Sequence, residues 1–287
     1  MAVDGLNAVR LDRATFLRPG ATGAIAPDTG ARSGVAAGAT RAATPVGRRA
    51  LLVLVLAALA AVPSSAEALN VYAASSLREA FPAITGSPSY NFGASNTLQA
   101  QIERGAPADV FASASPDEAR VLFKEGRCSR PVTFATNKLV IIVPKSNPGH
   151  VRSVYSLRSG GRRIAIGTPG VPIGDYTRRM LRRLHLSSIL SSNTVSQEPN
   201  VASITSKVAL GSADAGFVYV TDGRAAKDRA SVTSLPRWAQ PPVRYGICAV
   251  RRSGADTAGA RRFIAAVRST AGRRVLKRFG FGLPPRA

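Results

Sequence analysis

The chain has 287 residues, of which 45% are hydrophobic, and this suffices for the packed core of one large domain or two moderate ones. Its formal net charge of +23 comes mostly from arginines scattered along the chain, while aromatic residues make up only 6% and do not interleave with them. The composition therefore argues against a stacking surface for single strands and against a nucleic-acid partner.

The N-terminal part differs from the rest of the chain. Residues 1–49 are rich in Ala, Gly, Thr and Arg and lack apolar periodicity, which predicts a disordered or untranslated leader. Arg48 and Arg49 precede an apolar run, Ala50 to Val62, that is followed by small residues suited to signal peptidase. The run is too short for a membrane-spanning helix. We therefore expect a signal peptide and a periplasmic or secreted mature protein.

Two cysteines, Cys128 and Cys248, lie in the predicted mature part. Export makes a disulfide permissible, and the sequence leaves open whether the two cysteines pair or remain separate buried thiols. Neither lies near the predicted cleavage site, so we expect no lipid anchor on a processed N-terminal cysteine.

The first part of the mature chain alternates short apolar runs with amphipathic helices, which is typical of an α/β protein. The predicted elements are a strand at LNVYAA, a short helix from Leu77 to about Ile84, a helix at NTLQAQIERG, a strand at ADVFASA and a helix at SPDEARVLFKEG. The last helix has the strongest signals, with Ser115 as N-cap, Pro116 at its first position and Glu118 reaching back to the cap.

The same alternation continues to the C-terminus. We predict strands at NKLVIIVP, RRIAIGTP, ADAGFVYV and VRYGICAV, helices from Asp175 to about Leu186 and at NVASITSKVALG, and two helices from Thr257 to about Phe279. Two α/β lobes joined by crossing strands fit this order better than one sheet. The expected division is a disordered leader and signal peptide over 1–66, a first lobe of 67–142 plus 244–287, and a second lobe of 143–243.

Several predicted helices begin directly after strands, with Ser76, Ser95, Ile173 and Val201 near their starts. The first N–H groups of a helix lack intrahelical partners, and that end carries partial positive charge. In α/β proteins such junctions converge at the carboxyl edge of the sheets, where they can bind an anion without charged side chains. A hydroxyl at such a junction can also be a simple helix cap, and both alternatives stay open.

Five segments together carry a family resemblance. The segments VYAASSL, FGASNTLQAQIERGAPADVFASA, NKLVIIVP, IAIGTPGVPIGDY and GFVYVTD, in this order, resemble the periplasmic molybdate-binding proteins of ABC import systems. The resemblance covers Leu69 to Phe281. It implies a two-lobed periplasmic-binding-protein fold, each lobe a mixed sheet flanked by helices, with the ligand in the interlobe cleft. It also implies delivery to an ABC transporter permease in the membrane. We expect a monomer whose ligand is molybdate or tungstate, with no cofactor.

Matched position by position, the resemblance implies five ligand-binding residues, Ser76, Ser95, Ile173, Val201 and Tyr219. Ile173 stands where the family has another residue, which is tolerable if the contact is its backbone N–H. The same five residues would hold molybdate through its oxygens, with no direct cation ligands. Val220 and Thr221 differ from the family's Gly and Ser, which leaves the direction of the Tyr219 side chain open. A tyrosine in a buried strand can also be a core residue.

The donor set agrees with this ligand class. A fully ionised tetrahedral dianion presents only acceptors, so hydroxyl and N–H donors complement it, whereas hydrogen phosphate would need an acceptor in the site. Phosphate is therefore disfavoured. Sulfate or another tetrahedral oxyanion bound by the same fold is the alternative, because cavity size decides among such anions.

An enzyme would need an activated nucleophile, a metal site or a cofactor motif. His150 and His185 lie beside a turn and at a helix end without metal-ligand spacing, and the sequence has no nucleophile elbow, phosphate-binding loop or Cys-x-x-Cys pair. We therefore expect a binding protein and not an enzyme. Loose adhesion to anionic cell-surface polymers is a third possibility, and it predicts steep salt dependence.

Overall fold

The computed structural model describes residues 68–284 of the chain. The predicted leader and signal peptide lie outside these residues. Within them, the chain forms two mixed sheets of five strands, each flanked by helices. The predicted α/β class with two lobes is confirmed.

The first four strands and the last strand form one sheet, and the five strands between them form the other. In chain order they are β1 (Asn70–Ala74), β2 (Ser89–Gly93), β3 (Val110–Ser113), β4 (Val132–Asn137), β5 (Leu139–Pro144), β6 (Arg163–Gly167), β7 (Thr194–Glu198), β8 (Ala215–Tyr219), β9 (Ala230–Ser234) and β10 (Val243–Ala249). The first sheet has the order β2-β1-β3-β10-β4, with β10 antiparallel to both neighbours. The second has the order β7-β6-β8-β5-β9, with β5 antiparallel to both neighbours.

Helices cover these sheets. In chain order they are α1 (Ala80–Ile84), α2 (Ser95–Glu103), α3 (Pro116–Lys124), α4 (Pro172–Arg183), α5 (Ile189–Ser192), α6 (Val201–Ala209), α7 (Val220–Ala225), α8 (Thr257–Arg268) and α9 (Thr270–Arg278). Short 3₁₀ turns occur at Ser75–Leu77, Val154–Leu157 and Arg237–Ala239. No helix within residues 68–284 combines the length and the apolar character needed to cross a membrane.

The chain crosses between the two sheets twice. Because β4 ends at Asn137 and β5 begins at Leu139, the first crossing is made at Lys138. The return runs between Ser234 and Val243. All of β5 pairs within the second sheet, so the first crossing precedes the boundary after residue 142 that we expected from the sequence. An apolar run alone does not reveal which of two sheets it joins.

Helix α3 begins as its sequence predicts, but one detail of its cap differs. The Ser115 side chain accepts the N–H of Asp117 at 3.1 Å, and Pro116 is the first helical residue. The Ser115 N–H that a capping box would pair with Glu118 donates to Ser113 Oγ at 3.0 Å instead. Glu118 accepts from the Ser113 hydroxyl at 2.8 Å. Burial raises the pKa of Glu118, while hydrogen bonds with the Ser113 and Ser115 side chains oppose that rise. Glu118 thus reaches back to the start of the helix as predicted, but its partners there are side-chain hydroxyls and not the N–H of Ser115.

The two cysteines lie in the core of the first lobe. Both Cys128 and Cys248 are free and fully buried, in a cluster that also contains Phe111 and Leu122. The hydrogen bond that the Cys248 thiol makes to Cys128, and then burial, raise the pKa of Cys248 well above its usual value. The structure thus shows two adjacent buried thiols, one of the alternatives that the sequence left open.

Candidate functional site

A small cavity lies between the two lobes. Its volume is about 20 Å³, compared with about 10–15 Å³ for one water molecule and roughly 300–1,000 Å³ for the site of a drug-sized ligand. It is lined by Ala74, Ser75, Ser76, Gly93, Ala94, Ser95, Ala114, Val171, Pro172, Ile173, Asn200, Val201 and Tyr219. A cavity of this size admits a compact ligand of a few atoms and excludes a sugar or a peptide.

All five residues singled out by the sequence line this one cavity. Ser76 and Ser95 reach it from the first lobe, and Ile173, Val201 and Tyr219 reach it from the second. These residues are distributed along the chain from β1 to β8, so the folding of both lobes is needed to bring them together. Most of the other lining residues are Ala, Gly, Ser, Val or Pro, whose small side chains give no local signal of binding.

Three helices begin at the cavity. Helix α2 begins at Ser95, α4 begins at Pro172, and α6 begins at Val201. The Asn200 side chain caps α6 by accepting the N–H of Ser203 at 3.0 Å. Because the first N–H groups of each helix have no intrahelical partner, three positive helix ends converge on one small space.

The start of α4 differs from the prediction. We expected this helix to begin at Asp175, whereas it begins at Pro172. Proline favours the first helical position, since its missing N–H is one that a helix leaves unpaired there. As a result Ile173 lies in the first turn of α4, where its side chain is buried and its backbone N–H is among those without an intrahelical partner.

The two serines do not act as helix caps. The residues at the cap positions are Ala74 and Ala94, and neither makes a side-chain capping bond. Instead, Ser76 Oγ lies 2.8 Å from the Oη of Tyr245, and Ser95 Oγ accepts the N–H of Ala114 at 3.0 Å. The turn that contains Ser76 is only three residues long, so its contribution to an anion site rests on the hydroxyl rather than on a helix end.

Tyr219 carries a buried hydroxyl without a hydrogen-bond partner. Its side chain is 1% exposed, and its Oη has no hydrogen-bond partner among the described residues. Leaving a buried hydroxyl without a partner costs about 1–3 kcal/mol. Burial also raises the pKa of Tyr219 well above its usual value, so the phenol stays protonated and can donate a hydrogen bond. Asn96 Oδ1 and Thr177 Oγ1 are also buried without a partner, but neither residue lines the cavity.

The electrostatics of the cavity favour an anion. No carboxylate is among its described lining residues. Asp222 is a buried acid that lines a wider pocket of about 370 Å³, and this pocket shares Ser75 and Ser76 with the cavity. Burial raises the pKa of Asp222 to about 7. A site that offers hydroxyl and N–H donors and no ionised acid complements a ligand whose exposed atoms are all acceptors.

Groups that would hold a metal cation are not gathered in the described part of the chain. Within residues 68–284 no three His, Cys, Asp or Glu side chains lie close enough to share an ion. His150 and His185 are exposed and adopt positive φ angles in turns.

The sequence alone does not point to two residues that lie beside the site. Tyr245 lies on β10 and contacts Ser76 across a sequence separation of 169 positions. Asn137 at the end of β4 donates to Tyr245 Oη at 3.3 Å. No local pattern in VRYGICAV or in VTFATN distinguishes these side chains from ordinary strand residues, so only the folded structure reveals them.

Comparisons with known proteins agree with this geometry. A family model described as bacterial extracellular solute-binding protein matches residues 69–282. The molybdate-binding protein ModA of Mycobacterium tuberculosis is 36% identical over 231 residues, which cover 76% of this chain and 86% of that protein. The structure of the periplasmic molybdate-binding protein of Azotobacter vinelandii matches with a TM-score of 0.67 at 28% identity, over 76% of this chain and 100% of that one.

A third comparison concerns the fold alone. The sulfate-binding protein SubI of Mycobacterium tuberculosis matches with a TM-score of 0.62 at 15% identity, over 75% of this chain and 86% of that one. The prediction of a solute-binding protein, rather than an enzyme, is confirmed by the family match. This chain belongs to the family of bacterial extracellular solute-binding proteins.

Proposed function

We propose that this protein captures molybdate, or the chemically similar tungstate, outside the cytoplasm and delivers it to the permease of an ABC importer. The observation that carries the proposal is the unpartnered Oη of Tyr219, a residue that lines a cavity too small for anything but a compact ligand. The molybdate-binding relatives support the choice of ligand, because they are similar over most of this chain.

The proposed contacts are hydrogen bonds from neutral groups. Ser76, Ser95 and Tyr219 would donate hydroxyls, and Ile173 and Val201 would donate backbone N–H groups from the first turns of α4 and α6. Each hydrogen bond to a charged ligand contributes about 1.5–3 kcal/mol. Even after the cost of association, five such bonds support submicromolar binding.

The second candidate is sulfate. It is a tetrahedral dianion with the same acceptor-only surface, and the fold also occurs in a sulfate-binding protein. The two anions differ in size, so their relative affinities separate the two proposals.

The decisive experiment is isothermal titration calorimetry with molybdate, tungstate, sulfate and phosphate, together with melting curves in each anion. A tightly bound anion raises the melting temperature by mass action. We expect molybdate and tungstate to bind tightly, sulfate weakly, and phosphate hardly at all. A preference for sulfate would replace the proposal by the second candidate, and the absence of any oxyanion binding would refute both.

The proposal extends to location and assembly. The apolar run from Ala50 to Val62 would act as a cleaved export signal. Cys128 and Cys248 are buried in the first lobe, which supports a mature protein without a lipid on a processed N-terminal cysteine. We expect a monomer that releases its anion to a membrane permease. Size-exclusion chromatography with light scattering and the intact mass of the exported protein test these points.

A further inference from the structure

A chain of buried hydrogen bonds connects the Ser76 hydroxyl to the second lobe. Ser76 Oγ lies 2.8 Å from Tyr245 Oη, and the Asn137 side-chain nitrogen lies 3.3 Å from the same Tyr245 oxygen. The Asn137 nitrogen also lies 3.1 Å from Thr221 Oγ1, at the start of α7 in the second lobe. All four residues are buried. Removed from water, these groups depend on one another for hydrogen bonding.

One backbone group determines the direction of the bonds that Asn137 makes. The N–H of Lys138 can only donate, and it donates to Asn137 Oδ1 at 2.9 Å. The other end of the amide must therefore be the NH₂ group, which has two hydrogens to donate. These go to Thr221 Oγ1 and to Tyr245 Oη. Tyr245 Oη thus accepts a hydrogen bond. Its other side-chain partner among the described residues is Ser76, so a bond donated by Ser76 would leave the buried phenol hydrogen unpaired, and we infer that Tyr245 is the donor.

The consequence for Ser76 is a fixed polarity. Since Tyr245 donates to Ser76 Oγ, the hydrogen of Ser76 must point elsewhere, and the Ser76 side chain lines the ligand cavity. Ser95 is placed in the same way by different means, because its Oγ accepts the N–H of Ala114. The oxygen of each serine already accepts a hydrogen bond from the protein. Each serine therefore has its hydrogen left to donate into the space between the lobes.

We propose that Tyr245 is a positioning residue that makes Ser76 an obligate hydrogen-bond donor and thereby selects fully deprotonated oxyanions over protonated ones. The inference rests on the proposed capture of a tetrahedral oxyanion by the small cavity. Hydrogen phosphate carries a hydrogen that needs an acceptor, and a serine held as a donor opposes it. Burial raises the pKa of Tyr245 far above its usual value, so its hydrogen stays in place at any pH at which the protein works.

A tyrosine at this position could instead serve only as packing. Its ring lies 5.3 Å from the ring of Phe281 and 6.1 Å from that of Phe134, both edge-on. Tyr245→Phe keeps these ring contacts and removes only the hydroxyl, so the variant separates positioning from packing.

The main test measures two dissociation constants for Tyr245→Phe at pH 8, one for molybdate and one for phosphate. We expect the molybdate Kd to rise by about tenfold, because Ser76 is free to rotate and no longer oriented as a donor. The phosphate Kd should stay constant or fall, because Ser76 can then accept, and the ratio of the two constants should shrink by at least about tenfold. Tyr72→Phe, on β1 outside the cavity, is the matched control. Equal weakening of both anions, or no change in either, would overturn the positioning role.

A second variant covers the case in which Tyr245→Phe does not fold. Asn137→Asp replaces the donating amide by a carboxylate that only accepts. Tyr245 should then donate its hydrogen to this carboxylate, and Ser76 should donate its own hydrogen to Tyr245. We expect molybdate binding at pH 8 to be lost, with phosphate affected less. Binding of molybdate at the wild-type level by this variant would contradict the inference.

A measurement without ligand keeps this inference separate from the proposed function. In a double-mutant cycle of Tyr245→Phe and Ser76→Ala, the two losses of stability should be less than additive, because each change breaks the same hydrogen bond. Additive losses would show that the bond is absent and would overturn the inference even if molybdate binds. If the wild-type protein binds no oxyanion, the proposed function fails, while the cycle still decides whether Tyr245 holds Ser76.

Discussion

The backbone N–H of Ala114 donates to the Oγ of Ser95 at 3.0 Å, which joins the end of β3 to the first turn of α2. Ser95 is 2% exposed, and its hydroxyl lines the cavity. The bond uses the oxygen of Ser95 and leaves its hydrogen free. A residue that looks like a helix cap in the sequence is therefore held in place by a neighbouring strand end.

Removing both serine hydroxyls should weaken ligand binding far more than it destabilises the protein. For the double variant Ser76→Ala/Ser95→Ala we expect the molybdate Kd to rise by about 100-fold or more, because two hydrogen bonds to a charged ligand are lost. Some loss of stability is expected too, since the N–H of Ala114 loses its partner. Calorimetry and urea unfolding measure the two effects.

Ser115→Ala is the matched control for the serine pair. This serine caps α3 and does not line the cavity. Its loss should reduce the free energy of unfolding by about 1 kcal/mol and leave the molybdate Kd unchanged. If the double variant loses stability while its affinity stays at the wild-type level, both serines are structural only.

Tyr219→Phe should change stability and affinity in opposite directions. The Oη has no partner among the described residues, so its removal relieves an unsatisfied buried group and should keep or raise the melting temperature of the ligand-free protein. The same change removes a donor to the ligand and should raise the molybdate Kd by about 10- to 100-fold. A variant that melts earlier and binds normally would place the hydroxyl in the core instead of the site.

Asp222 should make stability depend on pH. Burial raises its pKa from 3.8 to about 7 in the folded protein. The folded state therefore holds this proton more tightly than the unfolded state, so the free energy of unfolding should fall as the pH rises from about 4 to about 7 and then level off. Each unit of pKa difference corresponds to about 1.4 kcal/mol.

Asp222→Asn tests this prediction, because the amide keeps the shape and cannot ionise. Relative to the wild type, the variant should gain stability steadily between pH 4.5 and pH 7.5 in urea unfolding. The exposed Asp228→Asn controls for the loss of one negative charge. A stability difference that stays constant over this range would contradict the assignment.

Gly174 should tolerate no side chain. A Cβ on Gly174 would overlap the carbonyl oxygens of Gly167 and Thr168, where the first turn of α4 packs on the end of β6. Gly174→Ala should push α4 away, destabilise the fold and move the N–H of Ile173 from the cavity. At Gly86 the nearest atom to a Cβ would be the Pro82 oxygen at 3.8 Å, so Gly86→Ala is the control. Equal melting temperatures for the two variants would refute the close packing.

The two cysteines should be unreactive in the folded protein. Cys128 and Cys248 are both buried as free thiols. We expect a thiol-specific reagent to label neither in native buffer and both after unfolding without reductant. No labelling in the unfolded protein, together with a mass lower by two hydrogens, would show that the pair is oxidised.

The strands that the sequence did not delimit have one feature in common. β2, β4, β7 and β9 are the four edge strands of the two sheets. An edge strand has one neighbour and remains partly exposed, as the half-buried pattern of β2 and the alternating pattern of β9 show. The six inner strands were all predicted, because strands such as β3, β5 and β8 are buried throughout and appear as unbroken apolar runs.

By itself the sequence determined the α/β order, the inner strands, the main helices and, through its resemblance, five residues that line one cavity. These features follow from local patterns of apolar residues, caps and turns, which neighbouring positions encode. Only the tertiary structure decided that Lys138 crosses between the sheets, that α4 begins early enough to include Ile173, and that Tyr245 forms hydrogen bonds with Ser76 and Asn137. A hydrogen bond between residues far apart in the chain forms only when both lobes are packed, so no local pattern can specify it.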